Sequence, residues 1–399
     1  MREAVVVDSV RTGLGKAHRG SFNMTRPDDM GAHCVKALLS RVPKLDPNEI
    51  EDLVVGTAQP YGLQGNNLGR VVSLLSGLPD SCAGQTVNRF CSSGLQAVAT
   101  AANEIITSGA EVVIAGGIDN ISMIPAMPGE VTRDGNPWLL EHQPGLFMGM
   151  LETAENVAKR YHISRLKQDE YSVLSHQRLA AAYDNGLMKD EITPMKTTMA
   201  LFDKVTKKKS GEKEVVCDQD EGLRRETTLE GLSKLKTLFD PNPATGSITA
   251  GNSCQNTDGA SMTLMMSREY ADKHNIPYKL IFRNFQFAGC RADEMGVGPT
   301  YAIPKLLKRT GLTVSDIGLW EINEAFAVMI VYASEKLGIG YENMNVNGGA
   351  IALGHPYGVT GSRQTGVLAR EMNRRNVRYG VASMCIGGGM GAAALFERA

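Results

Sequence analysis

Apolar and polar positions in the first 120 residues switch repeatedly between two periods. Residues 3–12 (EAVVVDSVRT) form a Val-rich apolar run, the pattern of a buried strand. Residues 27–42 (PDDMGAHCVKALLSRV) show helical spacing behind an acidic start. A strand pattern returns at 50–59 (IEDLVVGTAQ) and briefly at 84–88 (GQTVN). Residues 91–109 (CSSGLQAVATAANEIITSG) predict a helix, and 110–119 (AEVVIAGGID) a second buried strand. Strand, helix, strand over this length predicts a βαβ crossover.

From 121 to 250 the pattern changes. The stretch opens on Met123, Pro125, Met127, Pro128 and loop-like residues (PGEVTRDGNP, 128–137). Helical segments follow at 153–162 and 169–186, then a lysine-rich piece, DKVTKKKSGEKE (203–214). This is read as an inserted, loop-rich subdomain. After 275 strand patterns resume at 278–289 (YKLIFRNFQFAG), 316–327 (DIGLWEINEAFA) and 379–397 (YGVASMCIGGGMGAAALFE). The late segments echo the early ones in the same order: IEDLVVGTAQ with DIGLWEINEA, TVNRFCSSG with NVNGGAIALG, AEVVIAGG with RYGVASMCIGG. The expected architecture is a duplicated α/β unit. One half covers 1–120 plus 251–275, the insertion 121–250, and the other half 276–399. Two such halves packed together bring their strand-end loops into proximity, where ligand sites tend to lie.

Composition narrows the function classes. Forty-two basic residues oppose forty-three acidic ones, so no global field exists to hold nucleic acid. Seven cysteines, widely spaced and without a CxxC, fit reduced intracellular thiols better than a disulfide scaffold or a zinc site; no metal is expected. Charges interrupt residues 1–13 before any apolar stretch forms and no apolar run nears ~20 residues, so neither a leader nor a membrane span is expected and the cytoplasm is the expected compartment. Glycine is abundant, 43 of 399, and clusters in GGA, GGG and GHPYG, where backbone is brought close to something.

Three residues stand in such clusters. Cys91 lies between a short strand and a helix. It can be a buried packing cysteine, or a nucleophile whose thiolate the helix dipole stabilises. His355, in IALGHPYGVTG, can be a turn histidine capping backbone groups or the base for that thiol. Cys385, in SMCIGGGMG, can end a strand before a packing turn. Alternatively, its turn aims successive N–H groups at an oxyanion. Asn323, in EINEAFA, can cap a helix or hold a water or a carbonyl. Lys204, Lys207, Lys208 and Lys209, with Arg224 and Arg225, form either a solvated loop or a seat for a phosphorylated ligand. Taken together, two cysteines and a histidine in glycine-rich turns of both halves point to acyl transfer through an acyl-cysteine.

The blocks VNRFCSSGLQA, NEAFA, NVNGGAIALGHPYGVTGSR and CIGGGMGAA resemble thiolase signatures in family order. TAGNSCQNTDGAS and DEGLRRETTLEGLSKLK resemble the connecting blocks, so the resemblance runs over essentially the whole chain. It implies the five-layered αβαβα fold, with a loop domain covering the site. It implies that Cys91 is acylated, that His355 activates it, and that Cys385 is the second acid/base. Asn323 would position a water in one oxyanion hole with His355, and the N–H groups of Cys91 and Gly387 would form the other. Arg224 and Ser253 match positions that contact coenzyme A; Met295 and Phe326 match positions near the pantetheine and the reacting centre. Coenzyme A is implied as co-substrate, with no permanently bound cofactor, and the chain is expected to form dimers or tetramers. Association with other β-oxidation enzymes is also open. The Arg-Phe-Cys-Ser-Ser wording resembles degradative 3-ketoacyl-CoA thiolases more than acetoacetyl-CoA thiolases, which usually carry Cys-Gly-Ser; the short-chain acetyltransferase is the alternative. Gly13 stands where the family usually has proline. Residues 148–155 (MGMLETAE) depart from its Met-Gly-x-Thr-Ala-Glu block in a loop that shapes the acyl pocket.

Overall fold

The computed structural model describes residues 2–124, 135–203, 205–206, 208–242 and 245–399. The apolar runs of the first 120 residues become strands: β1 (Ala4–Arg11), β2 (Gly15–Lys16), β3 (Ile50–Gly56), β4 (Gln85–Val87) and β5 (Val112–Asp119). β1 and β5 are buried along their whole length, which is why they read as continuous rather than alternating runs. β6 (Met195–Phe202) and β7 (Lys209–Cys217) form a separate hairpin. β8 (Thr257–Ser267), β9 (Leu280–Gly289), β10 (Leu319–Ile322), β11 (Tyr379–Ile386) and β12 (Met390–Arg398) complete the main sheet system.

The strand order is β10-β11-β12-β9-β1-β8-β5-β3-β4, with β2 on β8. It is symmetric about the β9–β1 seam. Outward on one side run β1, β8, β5 and β3; on the other run β9, β12, β11 and β10. In both, the first two pairings are antiparallel and the third is parallel. The duplication read in the sequence is therefore a duplication of topology. The seam is thin: β1 and β9 pair only through Val5↔Ile281 and Val6↔Leu280.

Layers follow from where the apolar faces meet. The helix Ser93–Asn103 of the first half and the helix Thr360–Arg374 of the second lie between the two sheet halves. Leu95, Val98 and Ala102 share a core there with Leu368, Ala369 and Met372. Helix Pro27–Arg41 covers one outer face, and helices Pro299–Thr310 and Ala327–Leu337 the other. This is the αβαβα sandwich.

Two elements differ from the sequence reading. β8, eleven residues buried throughout, was not expected as a strand. Its run TDGASMTLMMS lacks alternation and is rich in Met, so periodicity alone cannot tell it from a buried helix. The β6–β7 hairpin lies in the segment read as loop. Its faces are mostly exposed, so no apolar alternation marks it; Met195 and Cys217 are buried at its base, and Ala200 is buried further along, where Asn23 pairs with its backbone. Pro125, Met127, Pro128, Lys204 and Lys207 lie outside the described residues. Among the described residues, no helix is long and apolar enough to cross a membrane, and no group of three or more His, Cys, Asp or Glu could hold a metal ion.

Candidate active site

Cys91 stands in a single 3-10 turn, Phe90–Ser92, between β4 and the helix Ser93–Asn103. The bend is braced by its own side chains. Asn88 Oδ1 accepts the Phe90 N–H at 2.7 Å, Ser93 Oγ accepts the Arg89 N–H at 2.9 Å, and the Ser93 hydroxyl donates to the Phe90 carbonyl at 2.7 Å. Phe90 is held at φ 44°, a conformation costly for a bulky side chain.

The Cys91 sulfur receives backbone N–H groups from Gly387 and from Cys91 itself. Both favour the thiolate, yet burial outweighs them and pushes the thiol up to about 11, with the Asp119 carboxylate adding to the rise. This corrects the expectation of a cheaply ionised sulfur. The helix-start placement is present, but desolvation dominates it, so the resting group is a thiol that must lose its proton to a base.

Cys385 is the penultimate residue of β11, paired with Gly391 of β12. Gly388 (φ 80°) and Gly389 (φ 83°) make the turn in the left-handed region, where glycine is favoured. The Cys385 sulfur lies 3.5 Å from Met329 Sδ. Its pKa is raised, first by burial and then by the neighbouring sulfurs of Cys91 and Cys254.

His355 follows Gly354 (φ 113°) and is almost wholly buried. Its Nδ1 is 2.6 Å from Thr360 Oγ1, whose hydroxyl donates to the Pro356 carbonyl at 3.3 Å. On that pattern Nδ1 carries the proton and Nε2 the lone pair, 3.2 Å from Asn323 Nδ2. Burial, reinforced by the Arg363 cation, lowers the ring to about 3, so it is neutral at rest. Asn323 continues the β10–β11 ladder, its N–H on the Ser383 carbonyl at 2.9 Å. Its Oδ1 is buried and has no hydrogen-bond partner among the described residues.

Tyr357 links the two halves of this cluster. Its ring meets His355 edge-on at 5.2 Å, and burial with Cys254 and Cys91 alongside raises its phenol. Cys91, His355, Cys385, Asn323 and Gly387 therefore converge. Met295 and Phe326 are buried in the same core as Cys385 and Met329. Ser253 bridges the Phe326 backbone, and its hydroxyl donates to the Thr249 carbonyl at 2.7 Å. Arg224 lies at the exposed edge. Its segment is tied to the His355 turn through Gln255, which donates to the Gly222 carbonyl at 2.9 Å and accepts the His355 N–H at 2.9 Å.

The sequence reading missed four neighbours. Cys254, inside NSCQNTDG, sits beside Cys91 with its thiol pushed up to about 12 by burial and then by Cys91. Thr360 and Tyr357 stand within GHPYGVTG, in the block already singled out for His355. Met150 opens the helix Met150–Arg160, and its Sδ is 4.0 Å from where a Cβ on Gly387 would lie. The departing block thus reaches the turn at Gly387.

A duplicated five-layered fold with two thiols and a neutral imidazole at its central loops defines an α/β acyltransferase. The chain matches the family descriptions "Thiolase, N-terminal domain" over residues 4–269 and "Thiolase, C-terminal domain" over 277–398. It is 47% identical over 397 residues to a Bacillus subtilis (strain 168) 3-ketoacyl-CoA thiolase, covering 100% of both chains. It is 44% identical over 401 residues to the peroxisomal 3-ketoacyl-CoA thiolase A of Mus musculus, covering 99% of this chain and 91% of that one. Human mitochondrial 3-ketoacyl-CoA thiolase superposes with a TM-score of 0.88 at 35% identity, covering 100% of this chain and 99% of that one. A Bacillus anthracis acetyl-CoA acetyltransferase does so with a TM-score of 0.89 at 33% identity and the same coverage. The chain belongs to the thiolase family.

Proposed function

We propose that this thiolase cleaves a 3-ketoacyl-CoA with coenzyme A, giving acetyl-CoA and a shortened acyl-CoA, in fatty-acid β-oxidation. The observation that carries the reading is the Gly387 N–H aimed at the Cys91 sulfur, with Cys385 alongside. Cys91 passes its proton to His355 Nε2 and attacks the 3-keto carbon. The bond between that carbon and its neighbour breaks, leaving the acyl group on sulfur and an enolate of acetyl-CoA, which Cys385 protonates. Coenzyme A then enters, Cys385 takes its thiol proton, and the new thiolate displaces Cys91.

Expelling an enolate requires preorganised donors, one typically contributing ~3 kcal/mol. His355 and a water held by Asn323 Oδ1 would serve one half-reaction, the N–H groups of Cys91 and Gly387 the other. Arg224 and Ser253 would contact coenzyme A, and Met295 and Phe326 its pantetheine; no resident cofactor is needed. The alternative, an acetyl-CoA acetyltransferase working on acetoacetyl-CoA, is favoured by the likeness to the Bacillus anthracis enzyme. The same reading includes a homodimer or homotetramer, which can associate with other β-oxidation enzymes. It also includes a reducing, cytoplasmic setting, which suits seven free cysteines.

Intact-protein mass spectrometry after incubation with 3-ketoacyl-CoAs of increasing length tests this. The expected result is an acyl adduct on wild type, extending beyond acetyl, and none on Cys91→Ala. An adduct confined to acetyl would support the alternative; the same adduct on Cys91→Ala would sink both.

A further inference from the structure

The two halves of the sheet part just beyond their seam, and a cleft opens there that the reaction does not use. β1 and β9 pair at Val5↔Ile281 and Val6↔Leu280, and the Lys279 N–H adds a bond to the Val6 carbonyl at 2.8 Å. The next residue of β1, Val7, is an extra one: the register against β8 shifts between Val6 and Asp8, the mark of a β-bulge. Beyond that point the residues leading into β9 (276–279) face those that close the helix Pro27–Arg41 (41–44) across a cleft of about 400 Å³. Small-molecule sites run from roughly 300 to 1,000 Å³. The floor is apolar: Val7, Val42 and Ile276 belong to the core of the first half, and Tyr278 packs against it.

The rim is cationic. Arg41, Lys44 and Lys279 line it together with one carboxylate, Asp8. Asp8 has more positive partners than it can neutralise: Lys279 donates to it, and Arg41 and Arg370 each approach it at 3.4 Å. Against burial, Lys279 and Arg370 hold its carboxyl below the ordinary range, so it is ionised near neutral pH and offsets one of those three charges. Lys44 adds a fourth, and its partner is neutral, the Asn275 carbonyl at 2.9 Å. Glu191 is turned to Arg11 at 3.1 Å, and Asp190 meets Arg41 and Arg370 through its backbone carbonyl, at 2.6 and 2.7 Å. Even with the Asp190 carboxylate counted, four cations face two anions. Arg41 and Lys279 keep 32% and 37% of their side chains in solvent, within reach of a ligand.

We propose that this cleft binds a small organic anion: one carboxylate or phosphate ester carried on a compact apolar body. The head sits among Arg41, Lys44 and Lys279, and the body lies on Val42, Ile276 and Tyr278. A bare inorganic anion would leave the floor unused, and a neutral molecule would leave the charge unmet. A nucleic acid needs a wider basic field than a chain of net charge -1 supplies. None of the lining residues belongs to the cluster around Cys91, so the site stands whether or not the acyl-transfer reading does.

The test reads the cleft itself, because octanoate or AMP could also enter the site at Cys91. The Ile276 methyl is followed by NMR on isoleucine-labelled full-length protein, its signal identified by its loss in Ile276→Val. Octanoate supplies a carboxylate on an aliphatic body, and AMP a phosphate ester on a planar one. At least one of them should shift the Ile276 methyl saturably at millimolar concentration. A response to octanoate alone identifies the head as a carboxylate, a response to AMP alone as a phosphate ester, and a response to both as either. Octanol and adenosine, which lack the anion, should leave the methyl unmoved. Lys44 is exposed and holds one carbonyl, so Lys44→Glu should fold and weaken binding by about tenfold or more; Lys44→Gln should fall between it and wild type. No shift with either anion, equal shifts with the neutral analogues, or wild-type affinity in folded Lys44→Glu would overturn the proposal.

Discussion

The Asp119 carboxylate, at the end of β5 in the first half, accepts the backbone N–H of Gly358, three residues after His355 in the second. It also accepts the Thr57 hydroxyl at 2.8 Å, the Ala58 N–H at 3.1 Å and the Gln64 amide at 2.8 Å. One buried carboxyl group thus fastens the histidine turn to the half that carries Cys91. Asp119→Ala should cost about 3 kcal/mol or more by leaving buried donors unpaired. Urea unfolding should show a lower midpoint with an unchanged slope; an unchanged midpoint would refute the fastening.

Gly117, two residues earlier, tests the same junction by bulk. A Cβ there would collide with the Gly358 carbonyl oxygen, which is backbone and cannot swing aside. Gly117→Ala should displace the turn, and with it His355. A misplacement near 1 Å lowers activity by about 100-fold, so kcat in a folded Gly117→Ala variant within threefold of wild type would contradict this.

The raised thiol gives a reactivity profile opposite to that of a preformed thiolate. With Cys91 at about 11, its thiolate fraction at lower pH grows tenfold for each pH unit. Iodoacetamide modification of Cys91 should therefore climb steadily from pH 6 to 9. A plateau starting near neutrality would show that burial had been outweighed after all.

On the proposed reaction, Cys385 would act after the first bond is made. Cys385→Ala should still accept an acyl group from a simple acyl-CoA, detected by mass, while steady-state turnover falls about 10²–10⁴-fold, the range for losing a general acid/base. Turnover equal to wild type would remove its proton-transfer role.

Much of this was legible beforehand, for particular reasons. Short valine-rich runs such as residues 4–7 and 112–114 announce strands because both of their faces are covered. The glycines around His355 and Cys385 announce turns because their backbone angles disfavour other residues. The ionisation of Cys91 was not legible, since it balances burial and the Asp119 carboxylate against the Gly387 N–H, and Asp119 and Gly387 are distant along the chain. Nor was Glu324 recognised. It stands beside Asn323 and accepts the Tyr171 and Ser175 hydroxyls, each at 2.7 Å, and the Asn345 amide and Ile351 N–H, each at 3.1 Å. Nothing in EINEAFA shows that four donors await that side chain.

Those four donors make a further prediction. Glu324→Gln turns part of an all-acceptor group into a donor facing donors, and should cost about 2 kcal/mol. Because Ile351 opens the path to His355, acylation should slow as well. Thermal unfolding at the wild-type temperature would show that the network is dispensable.

The thin β1–β9 seam has a consequence for how the site is held together. Each copy of the repeated unit can complete its own strand order, yet the nucleophile stays with one copy and the imidazole and second thiol with the other. The grouping of these side chains therefore depends on how the two copies are held against each other, through the thin seam, the shared helix layer and the Asp119 contact.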